Sequence, residues 1–372
     1  MAEVPTAASG TVASGSLHAP RLARLRALLA ERGTDALLLT ALHDLRWAVG
    51  FTGSNGALLV TAAATHFVTD GRYDEQARRE VSDAEVHIAS GNLHAHVAEQ
   101  GWIADGATVT VQSDHLTVAA FGGLRKRFER VEFDPVAHLL DAIVAEKSPE
   151  EIAQVRAAQA VTDAVFEAIL PRIRPGITER DLAAEITVEH LRRGASAMAF
   201  DPIVASGPNS ALPHARPTDR MFQRGDIVLI DMGAYLDGYA SDMTRTAVIG
   251  PASDEQRTVY DAVLRAQETA IEAAHAGMTG KDLDGVARTV LTEAGYGAQF
   301  SHSLGHGVGL QVHAWPRLSQ QVEHVLPVGA TVTIEPGVYL AGRFGVRIED
   351  IIALREDGCD NLTRTPKALL EL

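Results

Sequence analysis

A single cysteine, Cys359, in 372 residues excludes an intramolecular disulfide framework and any thiolate-rich zinc site, and it agrees with a reducing compartment. Cys359 itself reads as a structural free thiol. Long apolar runs are missing too: no stretch of about 18 uninterrupted apolar residues occurs, so no transmembrane helix is expected. Positive charge is scarce, with 33 Lys and Arg against 48 Asp and Glu and a formal net charge of -15. Nucleic acid and anionic membrane are disfavoured as partners, because both need basic patches that release counterions. Residues 1–20, rich in Ala, Ser, Gly and Thr, lack the charged n-region and the apolar run of a signal peptide. They are expected to form a disordered tail, and the protein is expected to be cytoplasmic.

What is present is enough core material for two domains, with 46% hydrophobic residues. Residues 21–145 alternate between helical and strand patterns. Helices are expected over 21–32, 73–81 and 118–128, and strands over 36–40, 57–61 and 66–69 and near Val86 and Val109. Together they make an α/β domain with a mixed sheet and few catalytic side chains. The boundary falls in Ala145-Glu146-Lys147-Ser148-Pro149-Glu150-Glu151, where Ser148 is a helix N-cap and Pro149 takes the first helical position.

The second domain, residues 146–372, repeats itself. Gly176-Ile177-Thr178-Glu179-Arg180-Asp181-Leu182 is echoed by Gly277-Met278-Thr279-Gly280-Lys281-Asp282-Leu283. Each copy places this turn between two helices, expected over 150–170 and 180–193 and over 254–275 and 281–294. Each then runs through a loop to a histidine, His214 or His313, and on to a pair of strands. A period of about 100 residues is too long for a solenoid and predicts two fused α+β halves related by a pseudo-twofold, meeting at one cleft.

The strand pairs carry the chemistry. Asp237-Gly238 is a two-residue hairpin signal between strands expected over 227–234 and 239–248. Counting outward from it sets Asp231 opposite Thr244, so Asp231 and Asp242 share one face as diagonal neighbours. Two carboxylates that close in an apolar ladder repel each other unless one is protonated or a cation lies between them, whereas solvated strand-face aspartates would need neither. The second pair, over 331–337 and 345–352, holds Glu335 and Glu349 among β-branched neighbours. Four such acids would make an oxygen-rich site for two divalent ions about 3.5 Å apart. Gly305-His306-Gly307 adds a borderline nitrogen ligand, its glycines allowing close backbone approach, which favours Mn, Co, Zn or Fe over Mg or Ca. His214 and His313, alone, read equally well as surface histidines; their matched placement points to hydrogen bonding of substrate or of a tetrahedral intermediate. Arg347 is either a clamp for a substrate carboxylate or a partner holding a metal ligand.

These residues resemble a known family. Ile230-Asp231-Met232-Gly233-Ala234, Ser241-Asp242-Met243-Thr244-Arg245-Thr246, Gly305-His306-Gly307-Val308-Gly309-Leu310, Thr333-Ile334-Glu335-Pro336-Gly337-Val338-Tyr339 and Val346-Arg347-Ile348-Glu349-Asp350 resemble the pita-bread metallopeptidases, within them the Xaa-Pro aminopeptidase and Xaa-Pro dipeptidase branch. Gly50-Phe51-Thr52-Gly53-Ser54-Asn55-Gly56 and Thr69-Asp70-Gly71-Arg72-Tyr73 resemble the creatinase/prolidase-type N-terminal domain. The resemblance implies that Asp231 and Asp242 hold one metal and Asp242, His306 and Glu335 the other, with Glu349 bridging. It further implies Glu335 as proton shuttle, His214 and His313 on the substrate, and Arg347 in support. The two ions would be manganese, with cobalt or zinc as alternatives; the substrates would be short proline-containing peptides and the assembly a homodimer. The expected activity is that of an Xaa-Pro aminopeptidase, with Xaa-Pro dipeptidase (prolidase) as the alternative. A creatinase-like enzyme without metal is opposed by the five intact ligand positions, and a non-catalytic pita-bread peptide-binding module typically loses them. One departure stands out: the family usually has an acid after the second histidine, whereas Ala314 and then Trp315 follow His313.

Overall fold

The computed structural model describes residues 17–372, and the described residues divide at Leu140/Asp141 into two compact units. Residues 1–16 of the expected tail lie outside them. The remaining part of that tail needs correction, since helix α1 (His18–Arg32) begins at His18. Leu22, Leu25 and Leu29, spaced three and four apart, bury one face of this helix, and that apolar stripe draws its first turn into the fold.

In the first unit the strands are β1 (Ala36–Leu39), β2 (Ala57–Thr61), β3 (Thr65–Asp70), β4 (Glu85–Ala89), β5 (Thr108–Gln112) and β6 (Glu132–Val136). They form one sheet in the order β4-β3-β2-β1-β5-β6. β2 is antiparallel to β1 and β3, while the β1–β5, β5–β6 and β3–β4 pairs are parallel, which gives the mixed sheet expected. Besides α1, its helices are α2 (Leu42–Val49), α3 (Asp74–Glu80), α4 (Leu93–Glu99) and α5 (Val118–Arg127). The sequence reading omitted α2, α4 and β6. Two of these are helices of only two turns, and β6 carries Pro135, so each has a weak periodic signal.

The second unit opens with α6 (Asp141–Ala145), then α7 (Pro149–Ile169) and α8 (Glu179–Arg192). Ser148 and Glu151 close a capping box at the start of α7, with Pro149 at the first turn. The strands β7 (Ala197–Met198), β8 (Ile203–Ser206), β9 (Ile227–Met232), β10 (Ala234–Leu236), β11 (Tyr239–Ala240) and β12 (Met243–Val248) complete the first copy. The second copy has α9 (Asp254–Ala273) and α10 (Gly280–Glu293), followed by β13 (Gly305–Gly307), β14 (Ala314–Leu318), β15 (Thr331–Ile334), β16 (Gly337–Leu340), β17 (Phe344–Arg347), β18 (Asp350–Arg355) and β19 (Gly358–Asn361), with β20 (Leu370–Glu371) closing the chain.

The internal repeat has matching local geometry. Thr178 and Thr279 each cap their helix through an aspartate three residues on, and each makes an isolated antiparallel bridge, to Met221 and to Val325. Each copy also has its own core. Leu182, Ile186, Val228 and Ile230 belong to the first, and Val263, Leu283, Val332 and Ile352 to the second.

Both expected hairpins form, but each is split. Asp237 and Gly238 have φ values of 47° and 79°, the positive pair that a tight hairpin turn requires. Thr244 pairs with Asp231 in β9–β12 and Tyr235 with Ala240 in β10–β11, so the register is continuous although the two segments belong to different sheets. In the second copy Ile334 pairs with Asp350 in β15–β18 and Gly337 with Arg347 in β16–β17. The expected strands over 331–337 and 345–352 therefore each part into two. Asp242, Glu335 and Glu349 all occupy the parted segments.

Candidate metal centre

Asp231, Asp242, His306, Glu335 and Glu349 line a single cleft of about 500 Å³ in the second unit, together with His214, His313 and Arg347. The acids arrive from the split hairpins. Asp231 remains in β9, whereas Asp242 immediately precedes β12, Glu335 immediately follows β15 and Glu349 lies between β17 and β18. Asp231, Asp242, His306 and Glu349 are buried, and the Glu335 side chain is 18% exposed.

His306 sits in β13, where a Cβ on Gly305 would lie 2.0 Å from the Thr333 carbonyl oxygen and one on Gly307 would lie 2.2 Å from that of Trp315. Only glycine lets the flanking strands come this close, as the Gly-His-Gly pattern predicts. His306 Nδ1 lies 3.0 Å from the Gly307 carbonyl, an acceptor, so Nδ1 carries the proton and Nε2 the lone pair. That lone pair faces Glu335 at 3.4 Å and Asp242 at 3.7 Å. Burial pushes the imidazole pKa down to about 3, so a proton on Nε2 does not relieve the repulsion at neutral pH.

The carboxylates show the same conflict. Burial, then the charges of Glu349, Asp231 and Glu335, hold Asp242 well above the usual carboxylate range. Glu349 is raised by burial and by Glu335 and Asp231, and Glu335 is pushed by burial up to about 7. Asp231 Oδ1 is buried without a hydrogen-bond partner. An orphaned buried oxygen, a lone pair aimed at two acids and several mutually repelling carboxylates fit divalent cations, which would satisfy all three. Asp242, His306 and Glu349 by themselves bring one ligand atom each within 4.8 Å of one another.

Arg347 was left with two roles, and its geometry favours one. Nη2 donates to Asp231 Oδ2 at 2.6 Å, Nε to Thr244 Oγ1 at 3.0 Å, and Nη1 to Tyr339 Oη at 2.8 Å and the Pro213 carbonyl at 3.1 Å. With these donors committed and its side chain 3% exposed, the geometry fits support of Asp231 better than a clamp open to a substrate carboxylate. Surrounding anions outweigh its burial and keep it firmly charged.

His214 and His313 are both exposed on the cleft wall, and the His313 ring stands edge-on to His306 with centroids 4.5 Å apart. Trp315 is not among the cleft-lining residues described. It turns towards His324, with ring centroids 5.9 Å apart.

Sequence reasoning missed the side chains that orient the acids. Thr244 Oγ1 donates to Glu349 Oε2 at 2.7 Å, Gln159 Oε1 accepts from the Asp242 backbone N–H at 3.3 Å, and His302 Nε2 lies 2.9 Å from Tyr339 Oη. The pair Arg245–Asp350, 2.8 Å apart and buried, ties the two hairpins together. The partners in these contacts lie 37 to 105 residues apart in the chain, so no local pattern reveals them. Arg317, which lines the cleft and faces His306 in the β13–β14 ladder, had no motif to mark it.

Comparison with known proteins agrees with this geometry. Residues 153–356 match the model of metallopeptidase family M24, and residues 21–143 match the creatinase/prolidase N-terminal domain. An Xaa-Pro dipeptidase from Bacillus anthracis superposes with a TM-score of 0.92 at 37% identity, covering 95% of this chain and all of that one. An X-Pro aminopeptidase from Thermotoga maritima MSB8 superposes with a TM-score of 0.87 at 36% identity, again covering 95% and 100%. The Xaa-Pro dipeptidase of Pyrococcus furiosus is 45% identical over 239 residues, which is 64% of this chain and 69% of the relative.

Proposed function

The chain belongs to metallopeptidase family M24 and carries a creatinase/prolidase-type N-terminal domain, and from that premise we propose that it is an Xaa-Pro dipeptidase. The observation that carries the hydrolytic reading is the convergence of Asp231, Asp242, His306, Glu335 and Glu349 on one cleft with Asp231 Oδ1 unpartnered. The dipeptidase reading is supported by relatives so named in Pyrococcus and Lactobacillus as well as Bacillus anthracis. It replaces the aminopeptidase expectation from the sequence. The aminopeptidase reading keeps one specific support, the Thermotoga maritima structure. Manganese in a pair, with cobalt or zinc as alternatives, a homodimeric assembly and a cytoplasmic site belong to the same proposal.

Asp231 and Asp242 would hold one ion and Asp242, His306 and Glu335 the other, with Glu349 between them. When bound, two divalent ions supply Lewis-acid polarisation of the scissile carbonyl and acidify the attacking water. Glu335 would take the attacking water's proton and deliver it to the departing proline nitrogen. His214 and His313 hydrogen-bond the substrate and the oxygen on which charge develops. Arg347 fixes Asp231, and Arg317 supplies a cation for the free carboxylate that a dipeptide places in the cleft.

Substrate length separates the readings. The manganese-loaded enzyme should hydrolyse an Xaa-Pro dipeptide at least about tenfold faster, in kcat/KM, than the matching Xaa-Pro-Yaa tripeptide, a difference of about 1.4 kcal/mol. Equal or faster tripeptide turnover returns the assignment to aminopeptidase, and no turnover of either with any divalent metal removes both.

A further inference from the structure

The N-terminal unit has a second cluster of potential ligands. β3 and β4 are parallel neighbours in the register His66↔Glu85 and Val68↔His87, with β4 at the sheet edge. Alternation along a strand puts His66, Glu85 and His87 on one face. Their ligand atoms form a small triangle. His66 Nδ1 is 3.2 Å from His87 Nε2 and 3.3 Å from Glu85 Oε2, and His87 Nε2 is 3.7 Å from that same oxygen.

Those three edges resemble the spacing of donors around one small cation. Ligand atoms about 2.0–2.1 Å from a tetrahedral ion stand about 3.3–3.4 Å apart. The surroundings hold the rings in place: Trp102 lies flat on His66, with centroids 4.1 Å apart and planes 2° from parallel, and contacts His87 at 4.5 Å. A third imidazole, His96 from α4, lies 6.3 Å from the His87 ring, and its buried Nε2 has no hydrogen-bond partner. A proton on His66 Nδ1 shared between Glu85 and His87 is the alternative to an ion, while His96 stands outside the group whose ligand atoms lie within 4.8 Å of one another.

We propose that His66, Glu85 and His87 form a metal site in the N-terminal domain that is separate from the peptidase centre, with the His96 ring beside it. Imidazole-rich donors with a single carboxylate select zinc, nickel or copper over magnesium or calcium. The catalytic cleft, with four carboxylates and one histidine, is by contrast a harder site. The bound ion ties edge strand β4 to β3 and pins the face that α4 covers, a structural role that blunts an otherwise exposed sheet edge.

The test counts metal on the full chain. After equilibration with buffered zinc and desalting, the wild type should retain one more zinc per chain than either His87→Ala or Glu85→Gln. Asp242→Ala should still lose one zinc per chain when His87→Ala is added, whatever happens at the peptidase centre. Glu85, with its side chain 68% exposed, is the variant least able to disturb folding. Nickel should quench the fluorescence of Trp102, identified by its loss in Trp102→Phe, at a concentration at least about tenfold lower in the wild type than in His87→Ala. Equal zinc counts in the wild type and in a folded Glu85→Gln, or quenching unchanged by His87→Ala, would overturn the site and point to the shared proton instead.

Discussion

The two hairpins of the second unit follow one plan and use it differently. In the first, Asp231 stays in the ladder opposite Thr244 while Asp242 sits where the strand parts. In the second, both Glu335 and Glu349 sit in the parting. The shorter aspartates thus come from a hairpin that keeps one acid on its strand, and the longer glutamates from one that releases both. Each hairpin also orients the other's acid: Arg347 of the second holds Asp231 of the first, and Thr244 of the first holds Glu349 of the second. The centre is therefore a property of the pair, and neither hairpin contains it alone.

The sharpest way to break that comparison is to remove an acid from each side. Asp242→Ala should reduce hydrolysis of Xaa-Pro dipeptide by more than about 10³-fold and strip metal from the centre. Glu335→Gln should lower kcat by about 10²–10⁴-fold, the usual worth of a general acid–base group, while retaining metal more fully. Turnover by Asp242→Ala within tenfold of wild type refutes the ligand assignment.

Cutting the reciprocal contact has a smaller effect. Thr244→Val removes the hydroxyl that donates to Glu349 and accepts from Arg347. Metal affinity should fall by about 10–100-fold, as is usual when a side chain supporting a ligand is lost. Metal titration reads this directly, and unchanged affinity would show that the hairpins do not orient each other.

The smallest effect concerns acid, and it singles out the second hairpin. His302 contacts Tyr339, which in turn contacts Arg347, and burial and the Arg347 charge push its pKa down to about 4. The unfolded chain binds a proton at His302 near pH 6.5 and the folded chain resists until about pH 4. This contribution to stability is thus complete above about pH 6.5 and disappears as pH falls through about 4. It is at most about 3 kcal/mol. His302→Gln should flatten the fall of Tm between those limits, and a parallel fall in both proteins would assign the acid loss to other groups.

Much of this was legible beforehand because it depends on neighbours in the chain. The Asp237-Gly238 turn set the Asp231–Thr244 register, since a two-residue turn with positive φ at both positions leaves the strands one way to pair. The Gly-His-Gly pattern announced a close backbone approach, and the approach is there. The partings were not legible, because β-branched residues run unbroken through Thr331-Val332-Thr333-Ile334 and nothing local says that the ladder changes sheets at Glu335. The three histidines and Glu85 of the N-terminal unit were overlooked for a related reason. Their spacing resembles no linear ligand motif, and only the parallel β3–β4 pairing sets His66 beside Glu85.

By itself, then, the sequence determined most of the longer elements, the internal repeat, the register of the first hairpin and the identity of the acids that could bind metal. Helix caps, tight turns and strand alternation act within a few residues, and they are written in the order of the chain. The tertiary structure decided that Arg347 holds Asp231 rather than a substrate, that Thr244 and His302 belong to the site's support, and that Trp315 packs away from the cleft. The polar contacts among these depend on which buried donor meets which buried acceptor 37 to 116 residues away in the chain, and the cost of leaving such groups unpaired becomes specific only once the fold has brought them together.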